Sequence, residues 1–121
     1  MALLEGKPMS NVDAAWLHME SPTNLMLISG VMSFYEKLDF AELKELIEDR
    51  LLPFERFRQK VVVPAVPGLG PRWVDDPHFI LRSHLHRVAL PDPGGQEELQ
   101  EYVSTIMSTS LDFSKPLWQF Q

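Results

Sequence analysis

The chain has 121 residues, no cysteine and a formal net charge of −6. That length allows one domain with a real core. The acidic balance argues against a nucleic-acid partner, which needs a basic face to displace counterions from phosphates. The lack of cysteine excludes a disulfide framework, a thiol nucleophile and a thiolate metal site.

The opening MALLEGKPMS carries one lysine and no long apolar core, so it does not read as a secretory signal, and the cytoplasm is the expected compartment. Residues 1–9 are expected to form an extended or loose lead-in, with Gly6 and Pro8 as breakers. Ser10 then has the chemistry of a helix N-cap, with Asp13 placed to favour the positive end of the helix dipole. A short helix over 10–20 follows, with Ala14, Ala15, Trp16, Leu17 and Met19 on its apolar side. Ser21-Pro22-Thr23-Asn24 stops it, because proline lacks an amide hydrogen and clashes with the preceding turn. Residues 25–35 are the most apolar run in the chain, too short for a membrane span and bounded by turn residues, which predicts a strand buried on both faces.

Between Asp39 and Leu52 the period changes. Leu43, Leu46, Ile47 and Leu51 fall at helical spacing, Asp39 is the expected N-cap, Lys44 and Glu48 stand at ion-pair spacing, and Pro53 ends the helix. Residues 57–63 alternate and then run Val-Val-Val, a strand signal closed by Pro64. Pro64, Pro67, Gly68, Gly70 and Pro71 predict a loop or hairpin tip, with Arg72-Trp73-Val74 as the returning strand. Asp75-Asp76-Pro77 turns the chain, and Phe79 to Leu81 followed by His84 to Leu90 reads as a further extended segment. Pro91 to Gly95 breaks that segment before a helix over 96–109, with Leu99, Tyr102, Val103, Ile106 and Met107 on one face. The chain closes Pro116-Leu117-Trp118-Gln119-Phe120-Gln121, an alternating pattern with no turn signal behind it. Helices of ten or more residues between strands predict an α/β fold with a mixed, layered sheet.

Several residues invite a chemical reading. His84 and His86, two apart on an expected strand, would face one side, a spacing that metal sites use; no third ligand can be assigned, and the polar face of a half-buried strand explains them better. His18 on the first helix reads as a partly buried histidine rather than a general base. Asp75-Asp76 before proline is what a turn requires. Ser10, Ser21 and Ser29 lack the glycine-flanked elbow of a hydrolase nucleophile. Gly68-Leu69-Gly70 is followed by neither a helix start nor a lysine, so it is no phosphate loop. Arg56, Arg58 and Lys60 read as the solvated face of a strand. On residues alone, neither a catalytic constellation nor a metal site is present.

The order of five segments says more: Met9 to Leu17, Ser21 to Met26, Leu51 to Gln59, His84 to Pro91, and Leu111 to Trp118. In this order they resemble the bacterial wax ester synthase/acyl-CoA:diacylglycerol acyltransferase family, over about Met9 to Phe120. The resemblance implies a fold like chloramphenicol acetyltransferase and the condensation domains of peptide synthetases, of which this chain would be the N-terminal part of one half. It also implies that residues 1–121 are an incomplete N-terminal domain, interrupted within a strand near Gln121.

In that family a His-His-x-x-x-Asp-Gly motif stands downstream of Pro-Leu-Trp, and its second histidine removes the acceptor's proton. No such motif occurs here, so no catalytic residue is carried over, and the chain alone is expected to be inactive. What carries over is Pro116, Leu117 and Trp118 as the segment leading toward the active site, and Met26 and Ile28 in the apolar run as wall of an acyl tunnel. Acyl-CoA enters as a substrate and no cofactor is implied. The expected partners are a lipid alcohol and the remaining part of the acyltransferase, at the inner membrane face or lipid bodies, although both longer helices are acidic on their polar faces. The alternative is a free-standing binding or assembly module that keeps the half-fold without the chemistry.

Overall fold

The computed structural model describes residues 5–121; residues 1–4 of the expected lead-in lie outside the described residues. Six elements follow in order: β1 Lys7–Pro8, α1 Asn11–Met19, α2 Phe40–Arg50, β2 Gln59–Val62, β3 Arg72–Asp75 and α3 Gln96–Met107. Short 3-10 turns occupy Glu55–Arg58 and Leu81–Ser83. The fold is mixed α/β, as expected. Its strands form one three-stranded antiparallel sheet in the order β1-β3-β2.

The helix starts follow local chemistry. Ser10 Oγ accepts the Asp13 amide at 3.1 Å, and Asp39 Oδ1 accepts those of Ala41 and Glu42 at 2.8 and 3.1 Å. Each satisfies donors that the first helical turn leaves free. At α3 the Glu98 carboxylate reaches back 2.9 Å to the Gly95 amide. The turn after α1 closes through Ser21 and Asn24, and Asn24 Nδ2 donates to the Met19 carbonyl.

The hairpin β2–β3 pairs Val61 with Trp73 and Gln59 with Asp75 across the loop of prolines and glycines. β1 decides between the two expectations for the lead-in in favour of the extended one. Lys7 and Pro8 pair with Trp73 and Arg72. Met9 extends this edge through its amide to the Pro71 carbonyl. Gly6 makes the approach possible, since its φ is +75° and a Cβ there would lie 2.0 Å from the Trp73 carbonyl oxygen.

Three expectations are corrected. Residues 25–35 form no strand. A run buried on both faces needs a neighbour at each edge, and β1, β3 and β2 pair only among themselves; no hydrogen bond reaches residues 27–38 among the described residues, and Ile28 is 100% exposed. Residues 79–90 are extended only in part, because the 3-10 turn at Leu81–Ser83 interrupts them. Lys44 and Glu48 do not pair; the ion pairs among the described residues are Lys7–Glu55 and Lys115–Asp112.

The core sits where α2 meets the segment around His84. Ile47, Leu81 and Leu85 are buried there, with Phe40, Leu43, Leu51, Leu52, Phe79 and Trp118 packed around them. The closing residues join this core through one parallel bridge, Leu85 to Phe120, instead of an extended strand.

Candidate functional site

An open groove of about 590 Å3 lies within the size range of small-molecule sites. Three pieces of chain build it. α1 gives Trp16 and Leu17, the segment after it gives Leu25, Met26, Leu27 and Ile28, and the sheet gives Val61 and Trp73. Met9, Phe113 and Leu117 close the remaining wall. Val61 and Trp73 share one face of the hairpin because they are direct antiparallel partners. Trp16 lines the groove and stays 53% exposed.

Polar groups in the groove are few: Asp13, Glu20 and Arg56. Glu20 is committed, its carboxylate accepting the Met26 amide and so tying the end of α1 to the apolar segment. Arg56 Cζ lies 3.9 Å above the Trp73 ring centre, a cation–π contact that places the guanidinium over the floor. Arg56 and Arg58 are exposed, as expected, and Lys60 lies in β2, but the two arginines stand on the 3-10 turn at Glu55–Arg58 and not on a strand: Arg56 reaches the groove and Arg58 Nε donates to the Leu52 carbonyl. The wall holds no serine, threonine, cysteine or histidine. Such a groove can hold an apolar chain, but it offers no nucleophile.

The structure divides the residues singled out from the sequence. Met26, Ile28 and Leu117 come together in the groove wall. Pro116 is buried behind it, and Trp118 turns the other way into the core. Its indole nitrogen donates to the Phe57 carbonyl at 2.8 Å, and its ring meets Phe57 edge-on at 5.6 Å. Sequence reasoning missed Trp16, Trp73 and Arg56 as groove residues. The available signal was a cation in the turn just before β2 and an aromatic in β3, a pairing that becomes visible only once register is known.

The histidines are accounted for otherwise. His84 is 2% exposed and stacks between Phe79 and Trp118 at 5.3 and 4.7 Å. Its Nδ1 donates to the Trp118 carbonyl at 2.7 Å. His86 Nε2 donates to the Ser83 carbonyl at 3.2 Å. Each ring thus spends a nitrogen on a backbone carbonyl, and the two do not form a metal pair. His18 is exposed on α1, outside the groove. Asp75 accepts Gln59 Nε2 at 3.3 Å, and Asp76 closes its turn by accepting the His78 amide at 3.0 Å. Among the described residues no group of three or more His, Cys, Asp or Glu side chains could hold a metal ion, and no helix is long and apolar enough to cross a membrane.

Two carboxylates outside the groove are perturbed. The hydrogen bond and charge of Lys7 hold Glu55 below its ordinary value. Hydrogen bonds from the Ser114 hydroxyl and amide do the same for Asp112.

Comparison with known proteins adds three findings. The family described as wax ester synthase/diacylglycerol acyltransferase catalytic domain matches residues 9–121. Two Mycobacterium tuberculosis proteins, each named a probable diacylglycerol O-acyltransferase, are similar to the chain. One is 33% identical over 115 residues, which cover 92% of this chain and 42% of the relative. The other is 32% identical over 114 residues, covering 92% of this chain and 25% of the relative. A solved wax ester synthase/diacylglycerol acyltransferase from Marinobacter aquaeolei matches 93% of this chain and 28% of its own at a TM-score of 0.66 and 26% identity. The chain therefore spans well under half the length of the proteins it matches.

Proposed function

Because the chain belongs to the wax ester synthase/diacylglycerol acyltransferase catalytic-domain family, matched over residues 9–121, we propose that it forms part of an O-acyltransferase that uses acyl-CoA. The acceptor is a long-chain alcohol or diacylglycerol. Its hydroxyl oxygen attacks the thioester carbonyl, the hydroxyl proton passes to a general base, and CoA leaves as the thiol once its sulfur regains a proton. Acyl-CoA is a substrate here, and the reaction needs no cofactor.

The observation that carries this reading is the groove, whose apolar wall includes Met26, Ile28 and Leu117 beside Trp16 and Trp73. A surface of this kind suits a fatty acyl chain, since burial of each methylene contributes about 0.8 kcal/mol. The base lies outside residues 1–121. None of the four histidines lines the groove, and those at 84 and 86 are bonded to backbone carbonyls. In this reading residues 1–121 supply the N-terminal part of the domain, and the remaining part of the acyltransferase is the partner that completes it. The enzyme works in the cytoplasm, peripherally at the inner membrane face or at lipid bodies where its substrates gather.

Stearoyl-CoA with a nitroxide on its acyl chain tests the groove. Quenching of Trp16 and Trp73 with Trp118 spared is expected, read in variants that keep one tryptophan each; equal quenching of all three would count against it. Release of CoA tests the chemistry. The chain alone should match the rate without protein, whereas the chain joined to the remainder of a family catalytic domain should form ester. Thioester cleavage by the chain alone that disappears on mutating His84 or His86 would overturn the placement of the base.

A further inference from the structure

The Trp118 carbonyl is held in an unusual way. Phe120 donates its amide to the His84 carbonyl at 2.7 Å, and His86 donates its amide to the Phe120 carbonyl at 2.9 Å. These two bonds are one rung of a parallel ladder. In a regular ladder the next donor, for the carbonyl of residue 118, would be the backbone amide of residue 84. That amide is diverted: it donates to the Leu81 carbonyl at 2.8 Å and closes the 3-10 turn. The imidazole of the same residue fills the gap, with Nδ1 at 2.7 Å from the Trp118 oxygen. A carbonyl oxygen can only accept, so Nδ1 carries the hydrogen.

We propose that His84 is a positioning residue for the groove: its Nδ1–H replaces a missing ladder bond, pins the Trp118 carbonyl and thereby holds Leu117 in the groove wall. The proposal rests on the acyl-chain reading of the groove for its functional consequence, but its geometry stands apart from it. Pro116 and Trp118 are joined by a tight turn, the Trp118 amide donating to the Pro116 carbonyl at 3.0 Å. Leu117 is the middle residue of that turn. It faces the groove while Trp118 enters the core, stacked on His84 and bonded through its indole to Phe57. A phenylalanine at 84 would keep the stacking and lose the donor, leaving a part-buried carbonyl without that partner. An asparagine can present Nδ2 near the place of the imidazole Nδ1.

The test has two arms. Imidazole nitrogen-15 NMR on the 121-residue chain should find His84 as the Nδ1–H form with a slowly exchanging proton; the Nε2–H form would overturn the proposal. In the second arm, binding of the nitroxide stearoyl-CoA is measured by tryptophan quenching, together with the Leu117 methyl shifts. His84→Phe should move those shifts and weaken binding about tenfold, the scale set by one lost hydrogen bond, and His84→Asn should stay within about threefold. Leu117→Ala should weaken binding by itself, and adding His84→Phe to it should cost little more. Equal loss in the Phe and Asn variants would mean packing alone and would overturn the proposal, as would unmoved Leu117 methyls in the Phe variant. If the wild-type chain binds no acyl-CoA, the groove reading fails while the imidazole form and methyl shifts still decide the clamp.

Discussion

At Gly6 the backbone takes a φ of +75° so that β1 can lie against β3, and a Cβ there would meet the Trp73 carbonyl carbon at 2.9 Å and its oxygen closer still. Gly6→Ala therefore meets both a disfavoured conformation and a backbone clash. It should destabilise the chain by about 2–4 kcal/mol in urea titration, against about 1 kcal/mol for the conformation alone. Next to it, Lys7 Nζ lies 2.5 Å from Glu55 Oε1 and ties β1 to the turn before β2. The hydrogen bond and charge of Lys7 lower the Glu55 pKa from its ordinary 4.5. A lowered carboxylate stabilises above its unfolded value and loses that contribution as pH falls through the folded one. The link should thus persist at pH 5 and disappear in the acid range below the ordinary value. Carboxyl NMR titration of Lys7→Met should return Glu55 toward that value. At this scale the caps were legible in the sequence, because Ser10 and Asp39 act on amides two or three residues away. The partners of Gly6, Lys7 and His84 were not, because each lies across the fold.

Among the elements, the helices followed from periodicity. α2 keeps Ile47 buried, with Leu43 and Leu51 beside it, on the face the spacing marks. Its N-cap gives a direct prediction: Asp39→Ala removes the acceptor for two amides and should cost about 1 kcal/mol, with Asp39→Asn nearly neutral. Thermal melts followed by circular dichroism would read both. The run after α1 failed as a strand for a physical reason. Its composition suits a strand buried on both faces, yet composition cannot supply the two neighbours that complete a ladder. Residues 79–90 failed in a related way. The 3-10 turn that diverts the His84 amide begins at Leu81, which is buried with Leu85 against Ile47 of α2.

Considered whole, the chain exposes 9451 Å2, where a compact monomer of its mass would expose about 6,700 Å2. Much of the apolar share lies along α1 and the segment after it, where Val12, Trp16, Met19, Val31, Met32 and Phe34 are exposed. On the proposed reading, the rest of the acyltransferase covers this surface, and the excess is on the scale of a large, permanent interface. The chain alone should therefore self-associate and bind a hydrophobic dye. Replacing Ile28 and Met32 together by lysine should lower both, read by sedimentation velocity and dye fluorescence, while shifting stability by less than about 1 kcal/mol, since both side chains are exposed. The sequence by itself determined the three helices and the caps of the first two, the hairpin, the α/β class and, through the order of five segments, the family, because each of these is written in local chemistry or in chain order. Tertiary structure decided the edge strand at Lys7, the turning of Trp118 inward and Leu117 outward, the stacking of Arg56 on Trp73 and the burial of His84. Those depend on which surfaces meet across the fold, and contacts between distant residues have no periodicity to read.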